Sequence, residues 1–210
     1  MAFITDAKNA LSLLIRGEWR EFVFRLRVYR GEVDLENVST DGLGLSAERS
    51  HEYSNSGGLQ LQKVLNFLKI SPQDAIVDFG SGKGGALITF SKYPFAKITG
   101  VEVSPELVAI AEKNFAKLKI RNIHMVVSDA VDFNDLEGYN YFYFFSPFPG
   151  AIMRTVVQNI VSSLVRKPRK ATIIYLNPEF HHTVIADSPF RKIKQFTHHQ
   201  LSCYIYSNVV

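Results

Sequence analysis

Apolar positions along the chain follow two rhythms separated by an irregular stretch. Leu11, Leu14, Ile15, Trp19, Phe22, Val23 and Leu26 recur at spacings of three and four. That spacing predicts one long helix beginning at Ala7, with Asp6 as its cap. Arg16, Arg20, Arg27 and Arg30 fall on the opposite side, and Gly17 weakens the middle by about 1 kcal/mol relative to Ala. From Gly31 to Gly58 the pattern is lost. The stretch is polar, rich in glycine and serine, and reads as an irregular connection with one short helix at most.

From Leu59 helix and strand alternate. Leu61, Val64, Leu65 and Leu68 make a helix face, and Ala75 to Phe79 is a short apolar strand. Ala86 to Tyr93 reads as helix and Lys97 to Glu102 as a second strand. Ser104-Pro105-Glu106 then opens a helix with Ser104 as cap and Pro105 at its first position. That helix would turn Leu107, Ile110, Ala111, Phe115 and Leu118 inward. Ile123 to Val127, Asn140 to Phe145 and Thr172 to Leu176 are three further strands, with a helix over Met153 to Val165. Ile193 to Thr197 and Leu201 to Tyr206 are close enough to pair as a hairpin. Alternating units with buried strands predict an α/β fold around a mostly parallel sheet.

Composition narrows the class. Of 210 residues, 46% are hydrophobic and 21% charged, which suits an ordinary globular core. No apolar run approaches the roughly 18 residues of a spanning helix, and the first residues lack the basic-then-apolar order of a signal peptide. Cys203 is the single cysteine, so neither a disulfide framework nor a thiolate zinc site is expected, and a reducing, cytoplasmic setting is. The net charge of +4 is uneven. Residues 1–30 carry six basic and three acidic groups, and residues 31–56 carry one basic and six acidic.

Chemistry concentrates where the first strand ends, in Val77-Asp78-Phe79-Gly80-Ser81-Gly82-Lys83-Gly84-Gly85. A glycine loop between strand and helix lets backbone approach a ligand at a helix N-terminus. The glycines fit both Gly-x-Gly-x-Gly at 80, 82 and 84 and the dinucleotide pattern at 80, 82 and 85, so by themselves they do not choose a ligand. Asp78 helps to choose. A carboxylate there repels a pyrophosphate and attracts a ligand bearing an ammonium or sulfonium. Glu102 ends the second strand, 22 positions after Gly80, where an acid can accept ribose hydroxyls. Asp129 follows the third strand, where a carboxylate can accept an adenine amino group or simply form its own turn.

Together Asp78-x-Gly80-x-Gly82-x-Gly84, Glu102 and Ser128-Asp129-Ala130 resemble the class I S-adenosylmethionine-dependent methyltransferases, over about Tyr53 to the end of the chain. The resemblance implies a seven-stranded sheet in the order 3-2-1-4-5-7-6 with the last strand antiparallel. It implies S-adenosylmethionine as cofactor and S-adenosylhomocysteine as product. Asp78, Gly80, Ser81, Gly82 and Gly84 would hold the methionine portion, Glu102 with Val103 the ribose side, and Ser128, Asp129 and Ala130 the adenine. Tyr53 would close the methionine end. The chain would divide into residues 1–55, a helix and acidic connection, and residues 56–210, the methyltransferase domain.

The fourth strand runs into Ser146-Pro147-Phe148-Pro149, which looks like a variant of the Asp/Asn/Ser-Pro-Pro-aromatic motif of N-methyltransferases. Phe148 stands where the second proline would be and Pro149 where the aromatic would be. Ser146 and the carbonyl near Pro147 could accept the hydrogens of an amine and aim its lone pair, and Phe148 could cover a cationic product. Ser146 would also border the cofactor. A nitrogen of a protein or small molecule is the expected acceptor; nucleic acid is not, although Arg166-Lys167-x-Arg169-Lys170 with Lys192 and Lys194 could form a basic patch. His181-His182 and His198-His199, read as strand neighbours pointing to opposite faces, make no metal site. The N-terminal helix could cap the sheet domain, pair with a second copy as a homodimer, or lie on an anionic membrane. Two other functions fit the glycine loop: an NAD(P)-dependent oxidoreductase, against which Asp78 speaks, and a non-catalytic methyltransferase-like binding domain, which the altered Ser146 motif keeps in view.

Overall fold

The computed structural model describes residues 19–36, 56–146, 148–198 and 201–209. The chain divides after Leu35 into two compact units. In the first, helix α1 (Trp19–Tyr29) continues the predicted N-terminal helix, whose start lies outside the described residues. Its burial differs from the predicted stripe. Trp19 and Val23 are 59% and 41% exposed, whereas Glu21 is buried with Arg25 at 3.5 Å. Spacing fixes which residues share a face, but not which face finds a surface to cover it.

The second unit runs α2 (Leu59–Leu68), β1 (Ala75–Phe79), α3 (Gly85–Phe90), β2 (Lys97–Glu102), α4 (Pro105–Leu118), β3 (Ile123–Val127), β4 (Tyr141–Phe145), α5 (Gly150–Arg166), β5 (Thr172–Leu176), α6 (His181–Ile185), β6 (Arg191–His198) and β7 (Leu201–Ser207). The seven strands form one sheet in the order β3-β2-β1-β4-β5-β7-β6. β1 to β5 are mutually parallel, and β7 runs antiparallel to both β5 and β6. The expected order and closing hairpin are both present.

Every residue of β1 and β5 is buried, which is what strands covered on both faces require. β3 at one edge is only half covered. Inside, Phe79 of β1 stacks on Phe144 of β4 at 5.2 Å, and Phe144 meets Tyr175 of β5 at 6.0 Å. These contacts tie three adjacent strands together just beneath their carboxyl ends. At the other edge, pairing of β6 with β7 shifts register between Lys192 and Lys194, and Ile193 stands out at the irregularity.

Local differences from the sequence reading have local causes. α3 stops at Phe90, three residues early, because a turn leads into Tyr93-Pro94. α4 buries Val108 and Asn114 where Ile110 and Leu118 were expected, a small rotation of its inner face. His181 and His182 open the short helix α6 rather than lying on a strand, and their rings sit 4.2 Å apart. The argument from alternating strand faces therefore does not apply to them. Among the described residues no three metal-binding side chains cluster. The two arginines of the basic run make internal contacts, whereas Lys167 and Lys170 are exposed. Arg166 pairs with Glu137, and Arg169 donates to the carbonyls of Leu136, Tyr139, Ser163 and Lys167 and to Ser163 Oγ.

Arg169 thus binds the loop before β4 to the end of α5. Arg169→Met keeps the stem and removes the donors, and should lower unfolding free energy by about 2 kcal/mol, measured by urea denaturation. A change within experimental error would show that water replaces these bonds at no cost.

Candidate active site

The carboxyl ends of β1, β2, β3 and β4 carry the described ones among the predicted site residues. The glycine loop leaves β1 with Gly80, Gly82 and Gly84 all at positive φ (73°, 52° and 83°). Gly80 and Ser81 N–H donate to Val101 O at 2.9 and 3.2 Å, so the loop folds back over β2. Gly84 has a packing reason as well: a Cβ there would lie 2.5 Å from the Phe115 ring of α4. A side chain at Gly84 would push the loop off that helix. Asn114, buried on α4, donates from Nδ2 to Lys83 O at 3.2 Å and fixes the loop from behind. Sequence reasoning missed Asn114, although its place between Ala111 and Phe115 on an inward helix face was a usable signal.

Glu102 holds the front of the loop. Its Oε2 accepts from Gly82 N–H at 2.9 Å and its Oε1 from Ser104 N–H at 3.0 Å. Ser104 in turn caps α4, accepting from Leu107 N–H at 3.3 Å. Burial raises the Glu102 pKa, and the N–H donors of Ser104, Gly82 and Val103 pull against that rise. With about four lone-pair sites, the carboxylate keeps acceptor capacity beyond these N–H donors.

Asp78 lies between Gly100 of β2 and Tyr143 of β4 in the register. It is buried and, among the described residues, receives no hydrogen bond. Burial first, and the neighbouring Glu102 second, push its pKa well above the ordinary carboxylate range. Burial likewise raises the Tyr143 phenol, with Asp78 adding to it and Ser56 easing it. A buried acid without donors is costly, and a cationic ligand relieves that cost. The chemistry of the donor set therefore fits S-adenosylmethionine: open loop geometry, one carboxylate awaiting a cation, and a second with spare acceptor capacity.

At the third strand end Asp129 Oδ1 accepts from Val131 N–H at 3.0 Å, and Ser128 Oγ donates to Asp129 O at 2.9 Å. Asp129 thus forms its own turn, one of the two roles expected of it. Ser128, Asp129 and Ala130 are half-exposed, and Val103 beside Glu102 is an exposed apolar side chain.

At the fourth, Ser146 takes φ of 37°, and its hydroxyl donates to Asn177 O beyond β5. Phe148 turns inward, 5% exposed, and packs edge-on against Phe144 at 6.2 Å, in the core rather than over an open pocket. Tyr53 and Pro147 lie outside the described residues. Cys203 is buried in β7, its thiol pushed up to about 12 by burial, and has a packing role.

The raised Asp78 pKa has a defined consequence for stability. The folded state keeps this proton at pH values where the unfolded chain, with an ordinary pKa of about 3.9, has lost it. Folding stability should therefore fall as pH rises from about 4 through the raised value, then level off. Asp78→Asn should flatten that fall and leave the ligand-free protein more stable at about pH 8, by about 1 kcal/mol or more. Thermal unfolding of both proteins across the pH range checks this. A less stable Asp78→Asn variant at high pH would mean that the carboxylate has a partner.

Residues 76–167 match a family described as a methyltransferase domain. A Drosophila melanogaster protein, the eEF1A lysine and N-terminal methyltransferase homolog, is 30% identical over 106 residues, half of this chain and 15% of that protein. Human EEF1A lysine methyltransferase 2 is 29% identical over 98 residues, covering 42% of each chain. The aligned region thus spans less than half the length of these relatives. A SAM-dependent methyltransferase from Aquifex aeolicus superposes with TM-score 0.57 at 17% identity, over 70% of this chain and 89% of its own. An RNA methyltransferase from Salinibacter ruber, solved with S-adenosyl-L-homocysteine, gives TM-score 0.53 at 13% identity, over 70% and 88%. At such identities these two likenesses bear on the fold alone. Residues 76–167 thus match a methyltransferase domain, and the sheet around them has the fold of S-adenosylmethionine-dependent methyltransferases.

Proposed function

We propose that the chain binds S-adenosylmethionine and transfers its methyl group to a nitrogen, on a protein or a small molecule. The observation that carries this reading is the pair of buried carboxylates flanking the glycine loop. Asp78 lacks hydrogen-bond donors among the described residues, while Glu102 is donor-rich. Asp78 would take the ligand's ammonium, with Gly80, Ser81, Gly82 and Gly84 lining the methionine portion. Glu102 would accept the ribose hydroxyls with its remaining lone pairs. Val103 and Ala130 would cover the adenine, and Ser128 and Asp129 would border it. Tyr53 would close the methionine end from the preceding segment.

When bound, the cofactor supplies an electrophilic methyl on a sulfonium. The chain's own contribution is placement. Ser146 and Pro147 would stand at the end of β4 beside the methyl, and Phe148 would brace that strand end from the core side. Because methyl transfer needs a neutral, aimed lone pair, proximity provides much of the rate. The names of the two curated relatives support a protein amine among the nitrogen acceptors.

Isothermal titration with S-adenosylmethionine and S-adenosylhomocysteine tests the cofactor, with NAD as the contrasting ligand. Binding of the first two is expected, and no binding by folded protein would overturn the proposal. Affinity should rise with pH as Asp78 ionises. Glu102→Ala should weaken binding at least about tenfold. Unchanged affinity in that variant would remove Glu102 from the ribose role.

A further inference from the structure

Beyond the cofactor, the ends of β4 and β5 form one polar cluster, of which the sequence motif marks Ser146 alone. Two non-glycine residues, Ser146 and Asn177, occupy the left-handed region with φ of 37° and 50° at adjacent strand ends. Ser146 Oγ donates to Asn177 O, so the two turns are joined. Asn177 N–H donates to Ser202 O at 2.8 Å, and its side-chain Nδ2 donates to Glu179 Oε1 at 3.0 Å. The Tyr175 hydroxyl accepts from Phe180 N–H at 3.4 Å and faces Ser146.

The N–H of Asn177, the NH₂ donor that faces Glu179 and the hydroxyl of Ser146 are all engaged within the cluster. Acceptor capacity remains at Asn177 Oδ1, whose orientation is set by the Nδ2–Glu179 bond, and at the Glu179 carboxylate, whose negative charge outweighs the second Asn177 amide N–H and the Tyr175 O–H. Asn177 is half-buried and Glu179 exposed. With β4 between β1 and β5, the cluster stands about 10 Å across the sheet from Asp78. A group that presents acceptors and a negative charge selects a ligand with several N–H donors and positive charge. It disfavours a phosphate or a carboxylate.

We propose that Asn177 and Glu179 form the acceptor subsite, and that its substrate class is a primary aliphatic amine such as a lysine side chain. This rests on the methyltransferase reading above. Asn177 Oδ1 and Glu179 would hold the amine's hydrogens, while Ser146 acts as a positioning residue that sets Asn177 through its carbonyl. The amine must first give one proton to solvent. Its lone pair then forms the new C–N bond as the methyl–sulfur bond breaks with its electron pair left on sulfur, and the resulting methylammonium releases a proton to solvent.

The test uses the full chain and two glycine variants, because glycine keeps the left-handed backbone while removing the side chain. In NMR titrations of wild type, Nα-acetyl-lysine amide should shift the Asn177 side-chain amide resonance, and Nα,Nε-diacetyl-lysine amide should not. Asn177→Gly should bind S-adenosylhomocysteine within about twofold of wild type by calorimetry, and Ser146→Gly, which removes the hydroxyl that sets Asn177, is compared with it in the transfer assay. Both should lose at least about tenfold in methyl transfer from labelled S-adenosylmethionine to extract proteins. Acetylating the extract's amines beforehand should remove the wild-type signal. The subsite is overturned by any of three results: equal shifts with both lysine compounds or none with either, label that survives amine acetylation or enters RNA, or full transfer by Asn177→Gly. Absence of S-adenosylhomocysteine binding by wild type would instead overturn the methyltransferase reading itself.

Discussion

The Glu102 carboxylate accepts one N–H from the glycine loop and one from the start of α4, and this shared anchorage sets the geometry of the whole sheet edge. A buried carboxylate is expensive unless it is well hydrogen-bonded, so the two donors and the acid hold each other in place. The loop cannot drift from β2 without exposing that charge to an apolar surrounding. Asp78, one strand across, has the opposite environment, with burial and no such donors among the described residues. Two acids on neighbouring strands therefore have different environments, one bonded into the architecture and the other buried without a donor among the described residues.

Beneath these acids the aromatic layer supplies rigidity. Phe79, Phe144 and Tyr175 each sit one or two positions before a residue of the site, and their rings touch across β1, β4 and β5. Close-packed rings transmit little slack, so the strand ends keep their spacing without a ligand to organise them. The inward turn of Phe148 extends this layer.

Much of this was legible in the sequence because it is local. Strand runs, the Ser104 cap and the glycine spacing each depend on residues within a few positions of one another, and carboxylates at regular strand ends follow from them. The sheet order came with the family resemblance rather than from any periodicity. What stayed hidden depends on partners far along the chain. Asn114 meets Lys83 from 31 positions away, and Arg169 reaches Leu136 from 33. Neither relation leaves a periodic trace. α6 has five residues, too few for a helical repeat to register. Asn177 lay at an ordinary-looking strand end, and only its bond with Ser146 brings it into the site.

The edge strand β6 carries a further consequence. An exposed, regular edge offers its unpaired backbone groups to any other strand, which is the route to strand-by-strand polymerisation. Here the register shift at Lys192 and Lys194 bends that edge, and Arg191 and the two lysines line it with like charge. A second copy approaching in extension would meet a kinked ladder and a repelling row of cations. The register shift and these cations therefore disfavour in-register addition of a further strand at β6.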